Sequence, residues 1–407
     1  MTIGVGGSSP EIELNKLQNM TTEAKAISKE EYQARINKAQ QLMSAQGVCA
    51  LYLDAGTNLS YFTGLNWYKS ERLVGAILPA QGELEYIAPH FEKGSLQDNM
   101  KICGNYNGWH EDESPYQLFS KIINQLGFKG GKIAIDESAA FFVFDGCRKV
   151  AEKFEFINGS DITAPCRQIK SKAEITLMQQ AKNMTLEVHK AAARILHPGI
   201  TTVEVTEFIN EAHRRVGASG SSFCIVLFGL ATSFPHGVKD PQVLKENDWV
   251  LIDTGCLLHG YNSDITRTYA YGEATKKQRI AWQVEKDAQA AGFKAAQLGV
   301  DCGKVDDAAR QVINENGYGP DYELPGLPHR TGHGCGLDIH EWPYLVRGTS
   351  TPLQTGMVFS NEPMLVIPDE FGVRLEDHFY MGDKGPVWFT LPSHSIDDPF
   401  GLNCKAR

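Results

Sequence analysis

The chain has 407 residues, 42% hydrophobic and 22% charged, with a formal net charge of −10. That length exceeds one ordinary core and points to two or three domains. The acidic balance, without any Lys/Arg-rich run, excludes a nucleic-acid footprint, and apolar runs such as "AAFFVF" fall far short of the ~20 residues that span a membrane.

The opening "MTIGVGGSSPEIELNK" lacks a basic stretch followed by an apolar one, so no secretory leader is expected. Residues 1 to about 28 are weakly patterned and read as an irregular arm. Over 28–47, Tyr32, Ile36, Ala39, Leu42 and Met43 recur at helical spacing, with Ser28 as N-cap, Glu31 three positions on and Gly47 as the stop. "VCALYLD" reads as a buried strand. "RLVGAILP" and "LEYIAP" read as two strands joined by a turn, "YQLFSKIINQLG" as a helix and "KIAIDES" as a strand. Strands alternating with helices predict a compact α/β domain. Turn residues and a proline in "NGSDITAPCRQIKSKAEI" place a boundary near 160–172, after which Ser171 and Glu174 form a capping box opening a long helix.

A faint repeat follows. "ARILHPGITTVEVTEFINEAHRRVG" (193–217) and "AAQLGVDCGKVDDAARQVINENG" (295–317) each end one helix at a Gly-bearing turn and begin another. β-branched strands come after each copy, so two αα-β units related by a pseudo-two-fold are expected. The nine cysteines are odd in number, scattered and free of any CxxC pair, which fits a reduced cytoplasmic interior. Cys335 is read as a packing residue.

The chemistry lies in ionisable residues set in apolar, Gly-flanked contexts: His236, Asp253, Asp264, His333, His340, Glu362 and Glu376. Each alone has a plain structural reading, as a strand-end cap, a turn former or a solvated loop histidine. Together they pose an electrostatic problem, because desolvated carboxylates require compensating cations. Arg374 offsets only one of them. Two divalent ions would balance four carboxylates, with an imidazole completing the donor set, and would activate a shared water. Oxygen donors with one nitrogen suit Mn²⁺, Co²⁺, Fe²⁺ or Zn²⁺. Asp253 and Asp264 sit on neighbouring strands of one hairpin, ~4.8 Å apart across the ladder, so both can reach one ion pair.

The order of Asp in "IDTG", Asp in "SDITRT", His in "TGHGCGLDIHE", Glu in "SNEP" and Glu in "GVRLED" resembles the pita-bread metallopeptidases, among them methionine aminopeptidase, aminopeptidase P and prolidase. The match runs through about 165–392, and the first half is similar to the N-terminal domain of aminopeptidase P and prolidase. The resemblance implies an α+β fold, with a creatinase/prolidase-like α/β domain over 1–165 and a pita-bread catalytic domain over 166–407. It implies that Asp253 chelates one metal, that Asp264 and Glu376 bridge both, and that His333 and Glu362 complete the second. Glu362 would also carry protons. His236 and His340 would contact the scissile carbonyl and leaving group, while His329 and Arg374 would anchor the proline-side carboxylate or tune the bridging site. The reaction implied is hydrolysis of Xaa-Pro dipeptides by a hydroxide between two divalent ions, manganese first among them, in a cytoplasmic homodimer whose N-terminal domain closes over the active site. Xaa-Pro aminopeptidase activity on longer peptides is the alternative.

This sequence departs from the family pattern at Phe223, where many prolidases carry tyrosine, and at Trp342 and Tyr344, which either pack or shape the pocket. Trp67 and Arg72 either bound the substrate's far end or pack and pair locally. Non-peptidase relatives, a lyase branch or ligand-binding proteins, are a further alternative. The lyase branch carries an acid where this chain has Gly255, and the binding relatives lack ligands that are all present here.

Overall fold

The computed structural model describes residues 2–403, so Cys404 lies outside it. Its chain divides into two compact units, residues 26–167 and the remainder. The first residues are not an irregular arm. Pro10–Lys16 is a helix, α1, capped by Ser9, and this segment belongs to the same unit as residues from 168 onward. Glu13 of α1 binds Lys16 and also Arg194 at 3.2 Å.

The 26–167 unit opens with α2 (Lys29–Gln46), where the Ser28 hydroxyl accepts from Glu31 N and Gly47 ends the helix at φ +69°. Such a left-handed cap favours glycine. Six strands follow: β1 (Val48–Asp54), β2 (Gly75–Pro79), β3 (Leu84–Pro89), β4 (Gly104–Trp109), β5 (Gly131–Ile135) and β6 (Phe154–Asn158). They form one mixed sheet in the order β4-β3-β2-β1-β5-β6. Helices α3 (Thr57–Thr63), α4 (Lys93–Asn99), α5 (Pro115–Gln125) and α6 (Phe141–Val150) connect them. Phe119, Ile122 and Ile123 of α5 and Val143 and Cys147 of α6 bury against Tyr52, Ile77 and Ile133 of the sheet. Arg72 is a surface residue paired with Glu111 at 3.0 Å. The proline-bearing segment after β6 differs from its sequence reading, since Ser160–Arg167 is a short helix, α7, with Pro165 inside it. Burial of Ile162, Thr163 and Cys166, with Tyr61 donating to the Cys166 carbonyl at 2.8 Å, outweighs the turn propensity there.

In the second unit both αα-β copies are present. Helix α8 (Lys172–Arg194) starts on the Ser171/Glu174 capping box and leads into α9 (Thr202–Arg215). After them come β7 (Ser221–Phe228), β8 (Trp249–Leu258), β9 (Tyr261–Asn262) and β10 (Ile265–Ala270), in the order β10-β8-β7 with β9 beside β8. Helices α10 (Lys276–Ala295) and α11 (Cys302–Glu315) open the second copy. They precede β11 (Gly332–Gly334), β12 (Glu341–Leu345), β13 (Val358–Asn361), β14 (Met364–Ile367), β15 (Phe371–Arg374), β16 (Asp377–Gly382) and β17 (Gly385–Trp388). Five of these strands form a sheet, β12-β11-β13-β16-β17, and β14 pairs with β15. The two interhelix linkers make matching isolated bridges, Thr201 to Val243 and Asp301 to Pro352. Among the described residues no helix is long and apolar enough to cross a membrane.

Candidate metal centre and active site

Strand register explains why the acids converge. Asp253 lies mid-way along β8, opposite Thr266 of β10 and Ile225 of β7. β8 therefore continues past it to Leu258 and turns at His259 and Gly260, both at positive φ. Asp264 falls between β9 and β10. Glu376 forms an isolated bridge to Thr266 just before β16, which carries it from the second sheet to the first. Asn361 pairs with Asp377, so Glu362 and Glu376 leave the adjacent ends of β13 and β16 side by side.

Buried polar groups hold these strand ends. Arg267 binds Asp377 at 2.7 Å and the Glu376 carbonyl at 2.8 Å, with both side chains of the pair buried. From α10, the Gln289 amide donates to the carbonyls of Asn361 and Leu375 and to Asp377. The loop before β11 is tied to α11. Asp306 accepts from Thr331 N and Oγ1 and from Arg310 Nε, and Arg310 also donates to the Leu327 carbonyl. His333 N donates to Ser360 Oγ, whose hydroxyl donates to Glu362 Oε1 at 3.0 Å.

Five predicted residues line one cavity of about 470 Å³: Asp253, Asp264, His333, Glu362 and Glu376. His236, His329, His340 and Arg374 line it as well, with Phe223, Ile225 and Ile339 as its apolar wall. Arg374 takes Asp253 Oδ2 at 2.6 Å. Its other nitrogens are also engaged, Nη1 with the Pro235 carbonyl and Nε with Thr266 Oγ1. One carboxylate is thus compensated, and three remain.

Those three sit where a cation is needed. His333 Nδ1 lies 2.9 Å from the Gly334 carbonyl, which can only accept, so Nδ1 carries the proton. Nε2 lies 2.9 Å from Glu362 Oε1 and 3.9 Å from Asp264 Oδ2, aimed at the acids. Asp253 Oδ1 and Asp264 Oδ1 are buried and have no hydrogen-bond partner, a state that costs free energy in the absence of an ion. Asp264, Glu376 and His378 bring ligand atoms within 4.8 Å of one another, as do His333, Glu362 and Glu376. The donor set therefore fits divalent metal.

Titration behaviour follows from the same crowding. Burial, then Glu376 and Asp253, push Asp264 well above the usual carboxylate range. Burial, then Glu362 and Asp253, do the same to Glu376. Asp253 is also raised by burial, with Arg374 opposing. Glu362 differs. Burial raises it, but His333, His329 and Arg374 together hold it below the ordinary value. Burial pushes the Cys335 thiol up to about 11, which fits packing and not nucleophilic attack.

His378 was not singled out from the sequence. Its fully buried ring places Nε2 3.2 Å from Glu376 Oε1 and 3.8 Å from Asp264 Oδ2. The signal was alternation, because residues two apart on a strand share a face, so Glu376 and His378 point the same way. Arg330, the Thr266 and Ser360 hydroxyls that steady the acids, and the buried Gln289 were likewise not anticipated.

Comparison with known proteins agrees with this geometry. Residues 176–383 match the model of metallopeptidase family M24, and residues 35–169 match that of the creatinase/prolidase N-terminal domain. A putative dipeptidase, YkvY, of Bacillus subtilis is 32% identical over 364 residues, covering 88% of this chain and 97% of the relative. A prolidase structure from Thermococcus sibiricus superposes with a TM-score of 0.81 at 32% identity, covering 88% of this chain and 97% of that one. The dipeptidase PepE structure from Mycobacterium ulcerans gives a TM-score of 0.85 at 29% identity, covering 91% and 99%.

Proposed function

This chain belongs to metallopeptidase family M24, and from that premise we propose that it is an Xaa-Pro dipeptidase working with two divalent ions, manganese first among them. The observation that carries the reading is the convergence of Asp264, Glu362, Glu376 and His333 Nε2 in one cavity, with orphaned carboxylate oxygens and only Asp253 paired with an arginine. Asp253, Asp264, His333, Glu362 and Glu376 would hold the ions. The family relatives named as prolidase and dipeptidase support a short peptide as substrate.

When bound, such ions supply an acidified water and polarise the scissile carbonyl. The protein's own groups do the rest. Glu362, hydrogen-bonded by Ser360 and held below its ordinary value by His333, His329 and Arg374 against its burial, is ionised at neutral pH and takes the proton of the attacking water. It then returns that proton to the proline nitrogen, which, as a tertiary amide, has no N–H of its own. His236 and His340 donate to the oxyanion and the leaving group. The His340 ring lies 4.1 Å from that of His333, and both line the cavity. Phe223, Ile225 and Ile339 receive the proline ring. A cytoplasmic homodimer is part of the same proposal, and the eight described cysteines, all unpaired, support the reducing compartment.

The test is one assay series. Metal-free protein is reloaded with Mn²⁺, Co²⁺ or Zn²⁺ and offered Xaa-Pro dipeptides, Xaa-Pro-Yaa tripeptides and dipeptides without proline. Preferential cleavage of Xaa-Pro dipeptides is expected. Tripeptide-only cleavage would replace the dipeptidase reading by aminopeptidase P, and equal cleavage of the non-proline peptide would remove proline direction.

A further inference from the structure

The pocket holds two arginines, and they are in opposite electrostatic states. Arg374 has Asp253 on Nη2, the Pro235 carbonyl on Nη1 and Thr266 Oγ1 on Nε. Elsewhere in this half of the chain, Arg267 holds Asp377, Arg310 holds Asp306, and Arg347 holds Asp307 and Asp321. Arg330 lines the same cavity as the four acids, yet among the described residues no carboxylate lies within ion-pair distance of it. Its guanidinium instead lies over the Tyr344 ring, 4.2 Å from the centroid, and Trp342 meets that ring edge-on at 5.6 Å. The ring contact holds the guanidinium in place while leaving its N–H donors available. The preceding residue is fixed too, since His329 Nδ1 donates to the Arg330 carbonyl at 2.7 Å.

A half-buried arginine held against an aromatic ring, with unused donors, is suited to a planar anion that arrives from outside. We infer that Arg330 binds the C-terminal carboxylate of the substrate and thereby selects dipeptides over longer chains. The inference rests on the Xaa-Pro reading and sharpens it. In an Xaa-Pro dipeptide the carboxylate lies one residue, about 3.5 Å of extended chain, beyond the scissile nitrogen. Its anchor must therefore line the cavity that holds the hydrolytic groups, as Arg330 does. In a longer peptide the same carbon is an uncharged amide. Of the two roles the family resemblance allows Arg374, anchoring this carboxylate or tuning the bridging site, the first passes to Arg330 because the Arg374 guanidinium is already occupied.

The experiment compares an Xaa-Pro dipeptide with its C-terminal amide in the metal-loaded wild type, Arg330→Met and Arg330→Lys. Wild type should prefer the acid. Arg330→Met should raise KM for the acid about 10- to 100-fold, the range of one lost charge-assisted pair, with a much smaller change in kcat. The acid's kcat/KM then falls toward that of the amide. Arg330→Lys, which keeps the charge but not the fork, should recover part of the preference. Unfolding midpoints of the three proteins establish that each is folded. Equal wild-type cleavage of acid and amide would overturn the anchor while leaving Xaa-Pro hydrolysis standing. Equal loss on both substrates in Arg330→Met would make Arg330 a structural residue. Cleavage of non-proline peptides alone would remove the Xaa-Pro reading itself, and the anchor with it.

Discussion

Asp264→Asn tests the electrostatic logic of the metal centre without any activity assay. Asp264 is 4% exposed, one of its oxygens is unpartnered, and its ligand oxygen lies within 4.8 Å of one on Glu376. Two unit charges at that separation repel by roughly 3.5 kcal/mol at an effective dielectric of about 20. In the metal-free protein, folding must either accept that repulsion or protonate one of the pair. Both acids are raised above their ordinary values, first by burial and then by neighbouring acids. A raised carboxyl contributes its stability below the ordinary carboxylate range and loses it as pH rises through the folded value. Replacing the charge by an amide should therefore stabilise the metal-free protein at pH 8 by about 2–3 kcal/mol, part of the repulsion being relieved already by protonation in wild type. Saturating Mn²⁺ should reverse the order. Wild type gains about 2.7 kcal/mol at a hundredfold excess over Kd, and the asparagine variant, short of one proposed ligand, gains far less. Urea unfolding with EDTA and with Mn²⁺, at pH 6 and pH 8, measures all four terms. An asparagine variant no more stable than wild type in EDTA at pH 8 would refute the argument.

Three other changes probe separate parts of the molecule. Glu362→Gln should leave the fold intact by circular dichroism and lower kcat by about 10²- to 10⁴-fold; turnover within tenfold of wild type would remove Glu362 as the proton carrier. Asp377→Asn leaves Arg267, 1% exposed, without its partner charge, and should destabilise the protein by about 3–5 kcal/mol in denaturant titrations. Burial, opposed by the Tyr52 hydroxyl, raises Asp54 to about 6 from 3.8. That corresponds to roughly 3 kcal/mol lost as pH rises through about 6, so Asp54→Asn should stabilise the protein at pH 8 and much less at pH 4.5. Equal effects at both pH values would rule this out.

Features with a local cause were legible in the sequence. Ser28 and Gly47 bound α2, and Ser171 and Glu174 open α8, because caps and left-handed stops are written within a few residues. The site acids were legible because charge in an apolar strand is rare enough to demand an explanation. Features decided by tertiary packing were not. Residues 2–25 look unpatterned because α1 is short and gains its order from contacts such as Glu13 with Arg194. Pro165 reads as a break, although the contacts around Cys166 hold a helix there. His378 and Arg330 escaped because each looks ordinary in sequence. Their character comes from what surrounds them, two acids in one case and no acid in the other.

Gly255 bears on how readily this scaffold could change its chemistry. A β-carbon there would fall 1.9 Å from the Ser263 carbonyl oxygen and 2.8 Å from the Phe223 ring. The obstruction is main chain, which cannot rotate aside as a side-chain end would. Introducing at this position the acid carried by the lyase branch would force the β8 hairpin to open near Ser263, directly beside Asp264. A laboratory lineage starting from this protein would therefore meet a valley at the first step, and would have to remodel the hairpin before selection could reward the new carboxylate.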